Sequence, residues 1–282
     1  MLVRLLTQRL GTLISLTWVL FFGLMFLFAF SIFNPLGFST STNFVKLILK
    51  LDWTICFSGI FFAVASLALF QAFKIGPIAI VAPIIGIYPI ISLILAHFTD
   101  NSIRPIIWPM VFFIVMGIGF IGVSTESQTF NIKNSYSEKI NFLSPRFAVI
   151  SYSLIAAISF SITFHLGQTG TTTNNLVDVT LASRLITLLI IFFISIFSAS
   201  MILPSLKEFI ALGSMGLLDV CALLLVFGAG NFKSPALAPV ASANFGIFTL
   251  ILAYLILGET LNIRQILGVA CVFSCLTLIL LV

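Results

Sequence analysis

Charge is what this sequence has least of. Thirteen Lys and Arg with eight Asp and Glu make up 7% of 282 residues, against about 25% in a soluble globular domain. So few charges cannot solvate a globular surface, and a soluble domain is excluded. Disorder is excluded too, because the chain is 60% hydrophobic and carries 31 Phe, whereas disordered chains are poor in apolar and aromatic residues. The net charge of +5 comes from scattered residues rather than a basic cluster. It reads as loop charge beside a membrane and implies no nucleic-acid partner. The four cysteines, Cys56, Cys221, Cys271 and Cys275, lie in apolar runs, where a thiol behaves as a small hydrophobe. No His, Asp or Glu stands near Cys271 and Cys275 to complete a metal set. The sequence has no P-loop, no Gly-x-Ser-x-Gly and no carboxylate pair within one helical turn. An enzyme therefore has no footing here, and neither a cofactor, a metal nor a self-contained ATP drive is expected.

What the chain does have is long apolar runs. A helix needs about 20 such residues to cross the hydrocarbon core while satisfying its own backbone. Nine runs qualify: Leu10 to Phe33, Trp53 to Phe73, Ile78 to His97, Ile106 to Val123, Phe147 to Leu166, Leu185 to Leu203, Phe209 to Gly228, Ala236 to Leu257 and Gln265 to Val282. Arg4 and Arg9 precede the first, but it is too long for a signal-peptide core and is read as a retained helix. The fold expected is an all-α polytopic membrane protein. A polar stretch, residues 124–146, divides it into four helices in 1–123 and five in 147–282.

The two parts echo each other in order. Arg9-Leu10-Gly11-Thr12-Leu13 parallels Arg184-Leu185-Ile186-Thr187-Leu188, and Ala82-Pro83 parallels Ala238-Pro239. Leu93 to Ala96 repeats as Leu250 to Ala253, and Ile103-Arg104 as Ile263-Arg264. On this register the helix at Phe147 has no partner, so the chain reads as a five-plus-five arrangement lacking its first helix, through loss or because the start lies upstream of Met1. Repeats of five helices must be inserted in opposite orientations, and inverted repeats are characteristic of secondary transporters. Counting Lys and Arg, eight on the side of the N-terminus against five on the other, places the central loop in the cytoplasm.

The stretch Pro239 to Gly268 carries a Pro-x opening, Leu257-Gly258-Glu259 at the end of its helix and Gln265 to Gly268 at the start of the next. It resembles the closing repeat of the drug/metabolite transporter superfamily, EamA-type branch, with Gly76-Pro77-Ile78-Ala79 through Pro83 and Pro89 as the partner pattern in the first repeat. The resemblance implies ten helices in two inverted repeats around a central cavity, exporting or exchanging small metabolites. It also implies a cytoplasmic C-terminus, which puts the central loop outside, against the charge count. Phe98 to Ser102 departs from the second Gly-Glu that the pattern would have there.

Ionisable groups inside a bilayer cost about 2.5 to 3.5 kcal/mol on insertion scales, so each is a functional candidate. Asp219, mid-helix in GLLDVCALL, could take up a proton, bind a cationic group or pair with an internal base. His165 and Gln168 lie near the end of the unpaired helix; Gln71 and Lys74 lie one turn apart at the end of the second. Arg9 and Arg184 open paired helices and suit anion recognition or positive anchoring. Paired interruptions, Pro77, Pro83, Gly86 and Pro89 against Pro235, Pro239 and Gly246, point to a midplane site, where Tyr88 and Asn244 align. Glu259 and Arg264 read as a salt bridge latching the last two helices. The function expected is a secondary transporter of small metabolites working by alternating access, with proton or ion coupling open. The alternatives are a flippase-like carrier of an amphiphilic or lipid-linked substrate and a non-transporting accessory subunit. The expected location is the inner membrane if the source is bacterial.

Overall fold

The computed structural model describes residues 6–7, 9–33, 52–76, 81, 84–100, 105–117, 145–197, 204–232 and 234–242, with single positions between 263 and 278. Among these every regular element is helical: α1 (Thr12–Phe33), α2 (Trp53–Ile75), α3 (Tyr88–Asp100), α4 (Ile107–Gly117), α5 (Pro145–Thr173), α6 (Leu176–Phe197), α7 (Leu206–Gly228) and α8 (Leu237–Ser242). Five of them, α1, α2, α5, α6 and α7, are long and apolar enough to cross a membrane. The chain is thus a multi-pass integral membrane protein.

Local chemistry sets the helix ends. Asp52 caps α2 by accepting from the Thr54 amide at 3.1 Å and the Thr54 hydroxyl at 2.7 Å, and its other oxygen accepts from Asn174 Nδ2 at 3.0 Å. That bond ties the start of α2 to the α5–α6 turn. At the start of α7 the Glu208 carboxylate reaches back to the Ser205 amide at 2.7 Å and the Ser205 hydroxyl at 2.8 Å, which holds the orphan donors of the first turn. Pro145 opens α5 where its missing N–H costs nothing.

Several boundaries differ from those read off hydropathy, and the run expected from Ile78 to His97 is broken by a turn before Tyr88. The helix expected to end at Leu166 runs on to Thr173, its polar GQTGTTT tail staying helical with the hydroxyls of Thr169, Thr171 and Thr172 satisfied by carbonyls three or four residues back. The next helix begins at Leu176 rather than Leu185, since Asp178, Thr180, Ser183 and Arg184 are buried against neighbouring helices instead of lying in a loop. The first helix is interrupted: Gly11 adopts φ +86°, a conformation that side chains avoid, and α1 proper starts at Thr12.

The helices pack around α6. It contacts α1, α2, α5 and α7, while α2 lies along α5 and α1 along α7. Paired residues fix the directions. Ser58 of α2 donates to the Thr163 carbonyl of α5 at 3.2 Å, and a Cβ on Gly76 would meet Val149, so α2 and α5 are antiparallel. Phe22 stacks edge-on against Phe209 at 4.5 Å and Gly23 meets Gly216, so α1 and α7 run parallel. The starts of α1 and α7 and the ends of α2 and α6 therefore share one end of the bundle, called here the Arg9 end. Asp52, Asn174 and Gly228 mark the other.

The paired interruptions form a junction. Gly86 and Ile87 make a turn from which α3 starts at Tyr88, and a turn at Pro235–Ala236 precedes α8. Pro89 and Pro239 each fall in the first turn of the helix that follows, where no donor is lost; they start helices rather than kink them. The Tyr88 hydroxyl lies 2.5 Å from Ser242 Oγ, which itself donates to the Pro239 carbonyl at 2.8 Å. Asn244, the expected counterpart of Tyr88, lies outside the described residues, as do Pro83, Glu259 and Arg264.

Candidate functional site: a buried ion pair between α6 and α7

Arg184 sits eight residues into α6, about 12 Å from its start at 1.5 Å per residue. Its side chain is 0% exposed, and its Nη2 donates to Oδ2 of Asp219 on α7. Three glycines let the helices close on this level. A Cβ on Gly23 would stand 3.7 Å from Arg184 Cζ and 2.8 Å from Val220, one on Gly216 would stand 2.5 Å from the Val19 carbonyl, and one on Gly59 2.7 Å from the Ser183 carbonyl. Small residues at such crossings allow backbone approach between membrane helices. Phe62 of α2 lies under the guanidinium, its ring centroid 4.9 Å from Cζ, in the geometry by which an aromatic face attracts a cation.

The pair is asymmetric. The cation is sealed, while the Asp219 side chain keeps 42% of its surface exposed. Two further nitrogens of Arg184, Nε and Nη1, are buried without a hydrogen-bond partner among the described residues. A guanidinium held by one carboxylate oxygen and an aromatic face thus retains two directed donors. Sequence reading had placed Arg184 at a helix mouth and Asp219 alone in mid-membrane; they form one site. Arg9 does not share its environment: its side chain is 71% exposed and pairs with Glu208 at 2.9 Å.

The second half of the chain matches a family model, EamA-like transporter family, over residues 147–281. Those residues, a little under half of the chain, are similar to that family. Among curated proteins none matches the sequence significantly. Solved structures are similar in fold, among them a crystal structure of a protein with a TM-score of 0.76 at 14% identity over 99% of this chain and 91% of the other. Both Arg184 and Asp219 fall within the residues matched by that model.

The other candidate residues fall into separate places. Gln168, buried on α5, donates through Nε2 to the Val226 carbonyl at 3.0 Å and the Pro235 carbonyl at 2.9 Å. Thr171 beside it donates to the Phe227 carbonyl at 2.9 Å. These bonds fasten the end of α7 and the approach to α8 onto α5. Gln168→Leu removes both bonds, although the Pro235 carbonyl still accepts from the Ala238 amide at 3.1 Å, and should lower stability by about 1–3 kcal/mol, read as a fall in the unfolding temperature of the purified protein. His165 is half-buried, one turn before Gln168. His97 is exposed at the end of α3, edge-on to Trp108 at 5.9 Å, which suits an interface anchor. Tyr88 is buried at the α3–α8 junction, its ring edge-on to Phe164 at 5.7 Å. Gln71 and Lys74 line a cleft of about 200 Å³ at the Arg9 end with Leu10 to Ile14 and Ser195.

Several participants escaped the sequence reading. Asp178 sits in a segment whose polarity suggests a loop, and Ser242 is an ordinary polar residue inside the apolar run Ala236 to Leu257. Gly216 had a usable signal, since it lies one turn before Asp219 on the same helix. Phe62 had none among 31 Phe.

Proposed function

We propose that this protein is a secondary transporter, an exporter or exchanger of small metabolites, in which the Arg184–Asp219 pair is the switch at the midplane. The observation that carries the reading is the pair's asymmetry: a sealed guanidinium with spare donors against a carboxylate that remains reachable. Neutralising Asp219 with a proton or a cationic ligand releases Arg184, and a released buried cation must find another partner. A device of this kind couples occupancy of the site to a rearrangement of α6 against α7, which alternating access requires.

Residues 1–123 and 147–282 act in this reading as two inverted repeats joined by the polar segment 124–146, and the Tyr88–Ser242 contact is where their matched interruptions meet. Transport is passive, exchange-based or ion-coupled, in the inner membrane if the source is bacterial. The test is solute flux in proteoliposomes under an imposed pH gradient, with pooled organic anions, amino acids, amines and nucleosides. Flux that follows the gradient in the parent, falls in Asp219→Asn and is largely kept in Asp219→Glu supports the switch. Equal gradient dependence in parent and Asp219→Asn sinks it.

A further inference from the structure

All four buried side-chain atoms that lack a hydrogen-bond partner among the described residues are able to donate: Thr12 Oγ1, Ser15 Oγ, Arg184 Nε and Arg184 Nη1. They are not scattered. Thr12, Ser15, Val19 and Gly23 recur at i, i+3, i+7 and i+11 and so share one face of α1, and Gly23 abuts Arg184. On α6, Ser195 stands 11 residues after Arg184, three helical turns along the same face, and α1 packs against α6.

The line opens at the Arg9 end into the cleft bounded by Gly11, Thr12, Gln71, Lys74 and Ser195. Thr12 is only 4% exposed, yet it borders this cleft with its hydroxyl unpaired. Lys74 is exposed there and has no ion-pair partner among the described residues. The Gly11 break frees the cleft wall from a continuous helix, and α1 presents its positive N-terminal end to it. A buried hydroxyl left unpaired costs about as much as a lost hydrogen bond, so that of Thr12 beside a lone ammonium, with that of Ser15 one turn further along the same face, marks a place that an acceptor-rich group would complete.

We propose that the transported solute is an organic anion, whose carboxylate or phosphate group is caught in this cleft by Lys74 and Thr12 and received by the spare donors of Arg184. The proposal rests on the transporter reading for its second half, whereas capture in the cleft stands on its own. An anionic lipid headgroup offers the same oxyanion chemistry as a free solute, and the experiment separates the two.

The full chain in detergent is titrated with inorganic phosphate and with acetate at constant ionic strength, and its unfolding temperature is followed. A saturable rise in the parent is expected, reduced at least tenfold in apparent affinity in Lys74→Gln and in Thr12→Val. Without ligand, Thr12→Val should be as stable as the parent or more so, since it removes an unpaired hydroxyl, so loss of folding does not cloud the result. A rise produced by anionic lipid in nanodiscs but not by free phosphate or acetate assigns the cleft to a headgroup and overturns the solute proposal. Equal titrations in parent and Thr12→Val overturn the cleft itself. Asp219→Asn should keep the rise; a cleft that binds in a protein that moves no anion leaves the capture site standing and removes the transporter reading.

Discussion

Gly216→Leu should abolish flux while leaving the helices formed. A Cβ at this position already falls 2.5 Å from the Val19 carbonyl and 2.9 Å from the Gly23 amide, backbone atoms that cannot rotate away. A branched side chain forces α7 off α1 by ångströms and carries Asp219, one turn further on, away from Arg184. Overpacking of this kind costs about 1–3 kcal/mol, and here the loss of the ion pair adds to it. Gly213→Ala is the matched control, since its nearest neighbours, ring atoms of Phe22, lie 3.9–4.0 Å from the added Cβ. The expected pair of results is a helical far-ultraviolet spectrum with no transport for Gly216→Leu, and parent-like behaviour for Gly213→Ala. Transport retained by Gly216→Leu would show that the close approach of α1 and α7 does not position the site.

The second large effect separates stability from transport. Asp219→Leu leaves Arg184 charged, fully buried and unpaired, and breaking a buried pair in this way costs about 3–5 kcal/mol. Replacing both partners by apolar residues of similar volume removes the stranded charge, and such exchanges are often neutral or stabilising. Arg184→Met with Asp219→Leu should therefore recover most of the stability lost by Asp219→Leu alone, with no recovery of transport. Thermal unfolding of the two proteins, beside their flux, makes the measurement. A double variant as unstable as the single one would mean that packing, not charge, dominates at this level; a double variant that transports would remove the pair from the mechanism.

Hydropathy made the membrane-crossing class and most helix positions legible, because a bilayer imposes a length and an apolarity that show in any window of sequence. It failed where polar residues are buried inside the bundle. Asp178, Thr180, Ser183 and Arg184 lower the local hydropathy as a loop would, although α6 encloses all four. The GQTGTTT tail of α5 misled for the same reason. Periodicity could have signalled these helices only through knowledge of which neighbours would cover them. Asp219 was conspicuous because it stood alone in an apolar run, yet its partner lay 35 residues back. The pairing depends on how α6 and α7 are rotated, which no single helix records. The parallel between Arg9 and Arg184 is real as a string of letters but joins two different environments, since Gly11 breaks the chain beside the first and Ile186 continues a helix beside the second.

The burial of Arg184 also bears on how the protein is made. α6 carries Arg184 eight residues in from its start, and a charge well inside a lone membrane helix costs about 2.5 to 3.5 kcal/mol. The counter-charge for Arg184 is synthesised only with α7, beyond the loop that follows Phe197. Until α7 is made, α6 holds a cation without its partner, which the bilayer accommodates only at that cost. Insertion of α6 is therefore more favourable once α7 stands beside it than before, and the two helices depend on each other as a pair.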